Sequence, residues 1–218
     1  MKNLLIFLVG QICMLPLQAQ HFALGFDKFN IAYIGLDNPI SIAVENCPCN
    51  HIVLKVENGT VTGENCRYIF RAKEVGAAQI MVYKKTASHL KEVGQYAFRV
   101  KRIPPPAFKI GPYGVSYFYA DRKAQTAVLK SQQYVRAELD GFDFDARCIV
   151  DSFQVKIFHE DSAKTNTYLN TTNKINQQIR DVFSGLKNGD IIFFNKIFAK
   201  GPDGIQWELD PLILTIEN

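Results

Sequence analysis

Beyond its first seventeen residues this chain has no apolar run long enough to cross a bilayer, which takes about 20 consecutive apolar residues. It also lacks charge of one sign. The 25 Lys and Arg against 21 Asp and Glu leave a net +4, evenly spread and without an Arg-rich stripe interleaved with aromatics. That excludes the electrostatic footprint of a nucleic-acid binder. No glycine-rich phosphate loop or dinucleotide fingerprint occurs. The nucleophile-elbow pattern is missing as well, since Gly114-Val115-Ser116-Tyr117-Phe118 fails at its final glycine. His21, His51, His89 and His159 are scattered, and none stands beside a Ser or Cys in a nucleophile motif. The sequence therefore offers no catalytic residue, metal site or cofactor site to assign. A Cys–His pair that meets only in space is the one arrangement these patterns leave open.

The N-terminus reads as a secretory leader. Lys2 supplies a short basic start, Leu4 to Leu17 form an apolar run interrupted only by Gly10, Gln11 and Pro16, and Leu17-Gln18-Ala19 ends in a small residue. The pattern predicts a signal peptide over 1–19 and a mature chain starting at Gln20. An uncleaved anchor is the alternative, but the run is short and Pro16 breaks its end. A lipoprotein site at Cys13 is disfavoured because Ile12 stands where a small residue is wanted. Without its leader the chain has a net +3 and no transmembrane segment.

Cleavage removes Cys13 and leaves Cys47, Cys49, Cys66 and Cys148 in an exported chain, where disulfides form. Cys47-Pro48-Cys49 cannot easily close on itself across the proline. Cys66 is expected to pair with Cys47 or Cys49, and closing a loop of about 17 residues contributes about 3 kcal/mol in the chain-entropy model. Cys148, in an apolar stretch, is expected to be a buried free thiol. A zinc site from Cys47, Cys49, Cys66 and His51 is the competing arrangement, but the paired spacing of structural zinc sites is absent.

Hydrophobic periodicity divides what remains. From 20 to 103, apolar residues alternate with period two: Ile40, Ile42 and Val44; Ile52, Leu54 and Val56; Tyr68, Phe70 and Ala72; Ile80 and Val82; Tyr96, Phe98 and Val100. Turn residues separate them, and Glu57-Asn58-Gly59 carries the strongest hairpin signal. Short strands at this spacing predict an Ig-like β-sandwich. Pro104, Pro105 and Pro106 form a linker of polyproline character, a semi-rigid spacer that suits a rod. From 107 to 218 the pattern predicts a second β-sandwich with one or two short helices. One helix spans Asp121 to Gln133, capped by Asp121. The other runs from a Thr172 cap to Gly185, with Ile175, Ile179, Val182, Phe183 and Leu186 on one face. The fold class is thus mainly β, with two tandem sandwiches.

Other residues invite a chemical reading. Asp140, Asp143 and Asp145 form the densest acidic group, with Asp143 and Asp145 expected on one strand face. The ligand loop and closing Glu of a calcium site are missing, so turn formation with Phe142 and Phe144 on the core side is preferred. Trp207, in a late strand, reads as core packing. Tyr113, Tyr117, Phe118 and Tyr119 cluster just after the linker, either as an interface patch or as packing at the base of the second half. Lys101 and Arg102 at the linker are further candidates for partner contact.

Several phrases carry a family resemblance: Tyr33-Ile34-Gly35-Leu36-Asp37-Asn38-Pro39-Ile40, Asn58-Gly59-Thr60-Val61-Thr62, Phe98-Arg99-Val100-Lys101-Arg102-Ile103-Pro104, Ala137 through Asp145, and Ala199-Lys200-Gly201-Pro202-Asp203-Gly204. In this order they resemble the two C-terminal periplasmic domains of the gliding-motility protein GldM, called PorM in type IX secretion. Members of that family join an inner-membrane motor through an N-terminal helix, dimerise as a rod, and reach outer-membrane-associated lipoproteins. The resemblance implies a non-enzymatic exported interaction module, in the periplasm or at the periplasmic face of the outer membrane. Its implied partners are envelope or secretion-apparatus proteins, with homodimer formation among the implied contacts and nucleic acid not among them. A leader where the family has its motor helix implies that this chain does not transmit force by itself. An exported enzyme or enzyme inhibitor on a sandwich scaffold is the alternative, favoured if a concave pocket gathers polar residues. N-terminal sequencing of the exported protein is expected to begin at Gln20 or within a few residues. Intact Met1 in the inner membrane would contradict the leader.

Overall fold

The alternating runs of the first half form two facing four-stranded sheets. The computed structural model describes residues 22–26, 30–114, 123–162 and 165–218. One sheet is ordered β1 (Phe22–Phe26), β3 (Asn38–Val44), β6 (Arg67–Ala72), β5 (Gly59–Glu64). The other is ordered β2 (Ile31–Tyr33), β8 (Leu90–Lys101), β7 (Gly76–Lys85), β4 (Ile52–Glu57). Alternate side chains leave opposite faces of a strand, so every second residue goes inside. Ile40 and Ile42 of β3 and Phe70 of β6 meet Ile80 and Val82 of β7 and Val100 of β8 in one core. Phe70 and Phe98 close it edge to face, ring centroids 5.0 Å apart.

Asn58-Gly59 does not make the expected hairpin. β4 pairs with β7 and β5 pairs with β6, so this dipeptide carries the chain from one sheet to the other. Asn58 is left-handed, with φ 60°. Its side chain donates to the carbonyls of Glu74 and Ala77, at 2.9 and 3.1 Å, and accepts the N–H of Glu74 at 2.9 Å. A Cβ at Gly59 would lie 2.4 Å from the Arg71 carbonyl oxygen. A sheet-crossing corner and a hairpin make the same left-handed demand on the backbone, so local sequence does not separate them. The tight hairpin is instead Asn65-Cys66, where both residues are left-handed between paired Glu64 and Arg67. Cys66 there is bonded to Cys49, with Cα atoms 5.1 Å apart. Of the two partners left open, Cys49 is the one used. The bond ties the entry to β4 onto the opposite sheet, while Cys47 and buried Cys148 are free thiols.

The second half also contains two sheets. A three-stranded sheet is ordered β10 (Tyr113–Gly114), β9 (Ala107–Ile110), β12 (Val135–Glu138). The larger is ordered β11 (Lys123–Ala124), β17 (Leu212–Ile216), β15 (Ile191–Lys200), β13 (Ile149–Phe158), β14 (Thr165–Asn170), with β16 (Gln206–Leu209) also on β15. Phe108 from the small sheet packs on Phe153 and Phe194 from the large one. Two short helices, α1 (Thr126–Ser131) and α2 (Gln177–Ser184), pack side by side.

Both helices are shorter than expected. The first begins after Gln125, and Asp121 lies outside the described residues. The second is capped by Asn176, whose side chain accepts from the Ile179 N–H, and not by Thr172. Buried Asn170 explains the delay. Its amide donates to the carbonyls of Thr172 and Lys174, and its oxygen accepts the N–H of Asn176 at 2.9 Å. The loop is thereby held open until Asn176, though Ile175 still reaches the core with Ile179 and Phe183.

A buried carboxylate fixes the far end of the large sheet. Asp190, 2 % exposed, accepts from Lys187 N–H at 2.9 Å, Glu160 N–H at 3.3 Å and the His159 Nδ1 at 3.1 Å. Burial alone pushes its pKa up, but the hydrogen bonds from Lys187, His159 and Glu160 together hold it below the ordinary carboxylate value. A depressed folded pKa stabilises the protein above the unfolded value, and that contribution is lost as pH falls through the folded one. Asp190→Asn is expected to lower the urea midpoint at pH 7, and the deficit should shrink below about pH 4. A deficit independent of pH would contradict an ionised Asp190.

Candidate interaction surface

The two cores are joined by a seam built from four of the five family phrases, all but Asn58 through Thr62. The turn after β2 starts it. Buried Asn38 donates to the carbonyls of Tyr33, Leu36 and Phe70 and accepts the Tyr33 N–H at 2.7 Å, which fixes the 33–38 loop. That loop projects Tyr33 onto Phe142 and Phe144, each with centroids 4.9 Å away and near edge-to-face. Gly35 has φ 81°, and a Cβ there would sit 2.5 Å from the Asp203 nitrogen and 2.7 Å from the Pro202 carbonyl carbon. Only glycine both adopts that angle and leaves room for the opposing backbone. Leu36 inserts into the core cluster of the second half, as does Ile103.

An ion pair completes the seam. Arg102 donates to Asp203 Oδ2 at 2.9 Å, and the Asp203 side chain is 0 % exposed. The other Asp203 oxygen accepts the Ile205 N–H at 3.2 Å. Removing one member of such a pair leaves a buried charge uncompensated. Burial pushes the nearby Cys148 thiol up, and the Asp203 charge pushes it further, so Cys148 remains protonated.

The seam changes the standing of several expected residues. Arg102 is committed to Asp203, while Lys101 is exposed at the end of β8. Tyr113 is half-buried against the second core, and its hydroxyl accepts the Gln125 N–H at 3.0 Å. Tyr117, Phe118 and Tyr119 lie outside the described residues. Asp143 and Asp145 do not share a strand face, because 139–147 is irregular. Phe142 and Phe144 line the seam as well as the second core, and Asp140 is paired with Lys109 at 2.5 Å. The hydrogen bond that Lys109 donates to Asp140 holds the Lys109 pKa up against the effect of burial, with Glu138 adding to it. Pro106 is buried and Pro104 and Pro105 exposed, so the linker is packed at its end and is more than a spacer. Among the described residues no group of three or more His, Cys, Asp or Glu is placed to hold a metal. No helix among them is long and apolar enough to cross a membrane.

Comparison with known proteins fits this geometry. The GldM third domain matches residues 25–101, and the GldM C-terminal domain matches residues 104–217, in that order. The chain belongs to the GldM family. No curated protein matches it. Among solved structures, the Yersinia pseudotuberculosis adhesin InvE is 12 % identical with a TM-score of 0.28, over 91 % of this chain and 59 % of that one. Domains 6–7 of the surface layer protein SbsC are 10 % identical with a TM-score of 0.30, over 91 % and 98 %. Those likenesses are too slight to support an argument.

Gly35→Ala is expected to destabilise the protein by about 2 kcal/mol or more, from the left-handed angle and the clash with Asp203 together. Limited trypsin digestion after Lys101 and Arg102 should accelerate as the seam opens. Gly25→Ala, where nothing lies within 4 Å, provides the comparison and should change neither readout. Equal behaviour of the two variants would show that the seam does not fix the joint.

Proposed function

We propose that this chain is a non-enzymatic exported interaction module, an accessory of the type IX secretion or gliding apparatus. It works in the periplasm or at the periplasmic face of the outer membrane. The observation that carries this reading is the ordered match to two GldM domains over 25–217. The locked joint supports it, because a rigid pair of sandwiches presents one continuous surface without ordering cost. The reading divides the mature chain at Pro104 to Pro106, into modules over 20–103 and 107–218. Partners are envelope or secretion-apparatus proteins, engaged through the second half and the joint, and a second copy is a further partner to test by sedimentation.

The test is capture of envelope proteins by the mature chain, repeated with Tyr117→Ala/Tyr119→Ala. If those rings are anchors, capture weakens by more than about 1 kcal/mol while the fold is retained. Unchanged capture with a lost fold would place them in the core instead. Robust hydrolase activity of the purified protein would overturn the non-enzymatic reading.

A further inference from the structure

A trough crosses the joint on one side of the molecule. Its first part, a cavity of about 580 Å³ on the outer face of the first sheet, includes Pro39, Thr62, Arg67 and Ile69. The second, about 730 Å³ at the seam, shares Pro39 and Ile69 and adds Leu36, Phe144, Arg147 and Pro202. The third, about 650 Å³, follows the backbone of 135–140 and 145–150 and shares Phe144, Asp145 and Arg147 with the second. The shared walls make one elongated channel over both modules. A compact ligand would be enclosed by a single deep pocket, whereas an open linear trough suits an extended chain.

The charges of the lining point to what fills it. Asp37 is neutralised by Arg71 and Asp140 by Lys109, and Glu138 is paired with both Lys109 and Arg136. Arg147 and Arg67 are exposed and make no side-chain hydrogen bond or ion pair among the described residues. Arg147 stands where the second and third parts overlap, and Arg67 lies in the first. Asp145 is the one carboxylate of the trough lining that is unpaired among the described residues. The floor between them is apolar, from Leu36, Pro39, Ile69, Phe144 and Pro202. Guanidinium groups bind carboxylates through paired N–H donors, and the locked seam holds these walls in place beforehand.

We propose that the trough is the docking site for an extended segment of a partner protein that carries carboxylates among apolar side chains, with Arg147 as the central anchor. The proposal rests on the interaction-module reading and specifies the surface and the chemistry of the partner.

The experiment pans a random dodecapeptide display library against the full mature chain and measures the enriched peptide, made synthetically, by calorimetry. Acidic residues beside apolar ones should be enriched. Arg147→Glu should weaken binding at least about ten-fold and Arg67→Glu by less, with Lys91→Glu, exposed on β8 and outside the trough lining, neutral. Hydrogen-exchange protection on binding should fall on 36–39, 69 and 144–147. Arg147 is exposed and unpaired, so its reversal should leave the thermal midpoint unchanged, and Arg147→Gln should give an intermediate loss. Enrichment without acidic residues, affinity indifferent to Arg147→Glu, or protection elsewhere would overturn the trough. Envelope capture that survives Arg147→Glu would do so while leaving the module reading intact, and loss of all capture by the unmodified chain would sink that reading independently.

Discussion

The close approach of Gly35 to the backbone of Pro202 and Asp203 is the constraint on which the two-part structure depends. Because no Cβ intervenes, the turn after β2 lies flat on the second half. Tyr33 then reaches Phe142 and Phe144, Leu36 enters the second core, and Arg102 meets the buried Asp203 carboxylate. The joint is therefore held on both sides of the proline segment, by a docked loop as well as by the linker. A polyproline spacer alone limits distance and direction, whereas the seam also sets rotation about the linker.

Much of the architecture is legible in the residues. Period-two alternation marks most of the strands of the first half, since each has one buried face, and the absence of long helices among the described residues follows from the same pattern. The disulfide of the first half is legible too, although spacing could not choose between Cys47 and Cys49. Errors fall where a local signal has two structural solutions. Asn58-Gly59 supplies left-handed backbone equally well to a hairpin and to a crossing between sheets. Thr172 is a good cap by residue type, but Asn170 holds its neighbourhood in a loop and Asn176 takes the role.

The seam itself was the least legible part, for a physical reason. Its members are far apart in sequence: Arg102 and Asp203 lie 101 residues from each other, and neither has a local signature of burial. Asp190 and His159, 31 residues apart, were missed on the same ground. Four of the five family phrases point to the right places, because each supplies one wall of the seam, while Asn58 through Thr62 forms the crossing between the sheets of the first half. Their composition alone, a tyrosine, a glycine, two phenylalanines, an arginine and an aspartate, reads as turns and core until the walls are brought together.

One feature of the first sandwich governs how it would respond to tension. β2 and β8 lie side by side and parallel, with Ile31 opposite Arg99 and Tyr33 opposite Lys101. The chain enters this pair at Ile31 and leaves it at Lys101. Tension applied between those two points slides the strands past each other and loads their shared hydrogen bonds together, rather than peeling them apart one at a time. The yielding point of the module is then set by the short β2–β8 pair and by the loop that follows it, which is the same loop that docks on the second half.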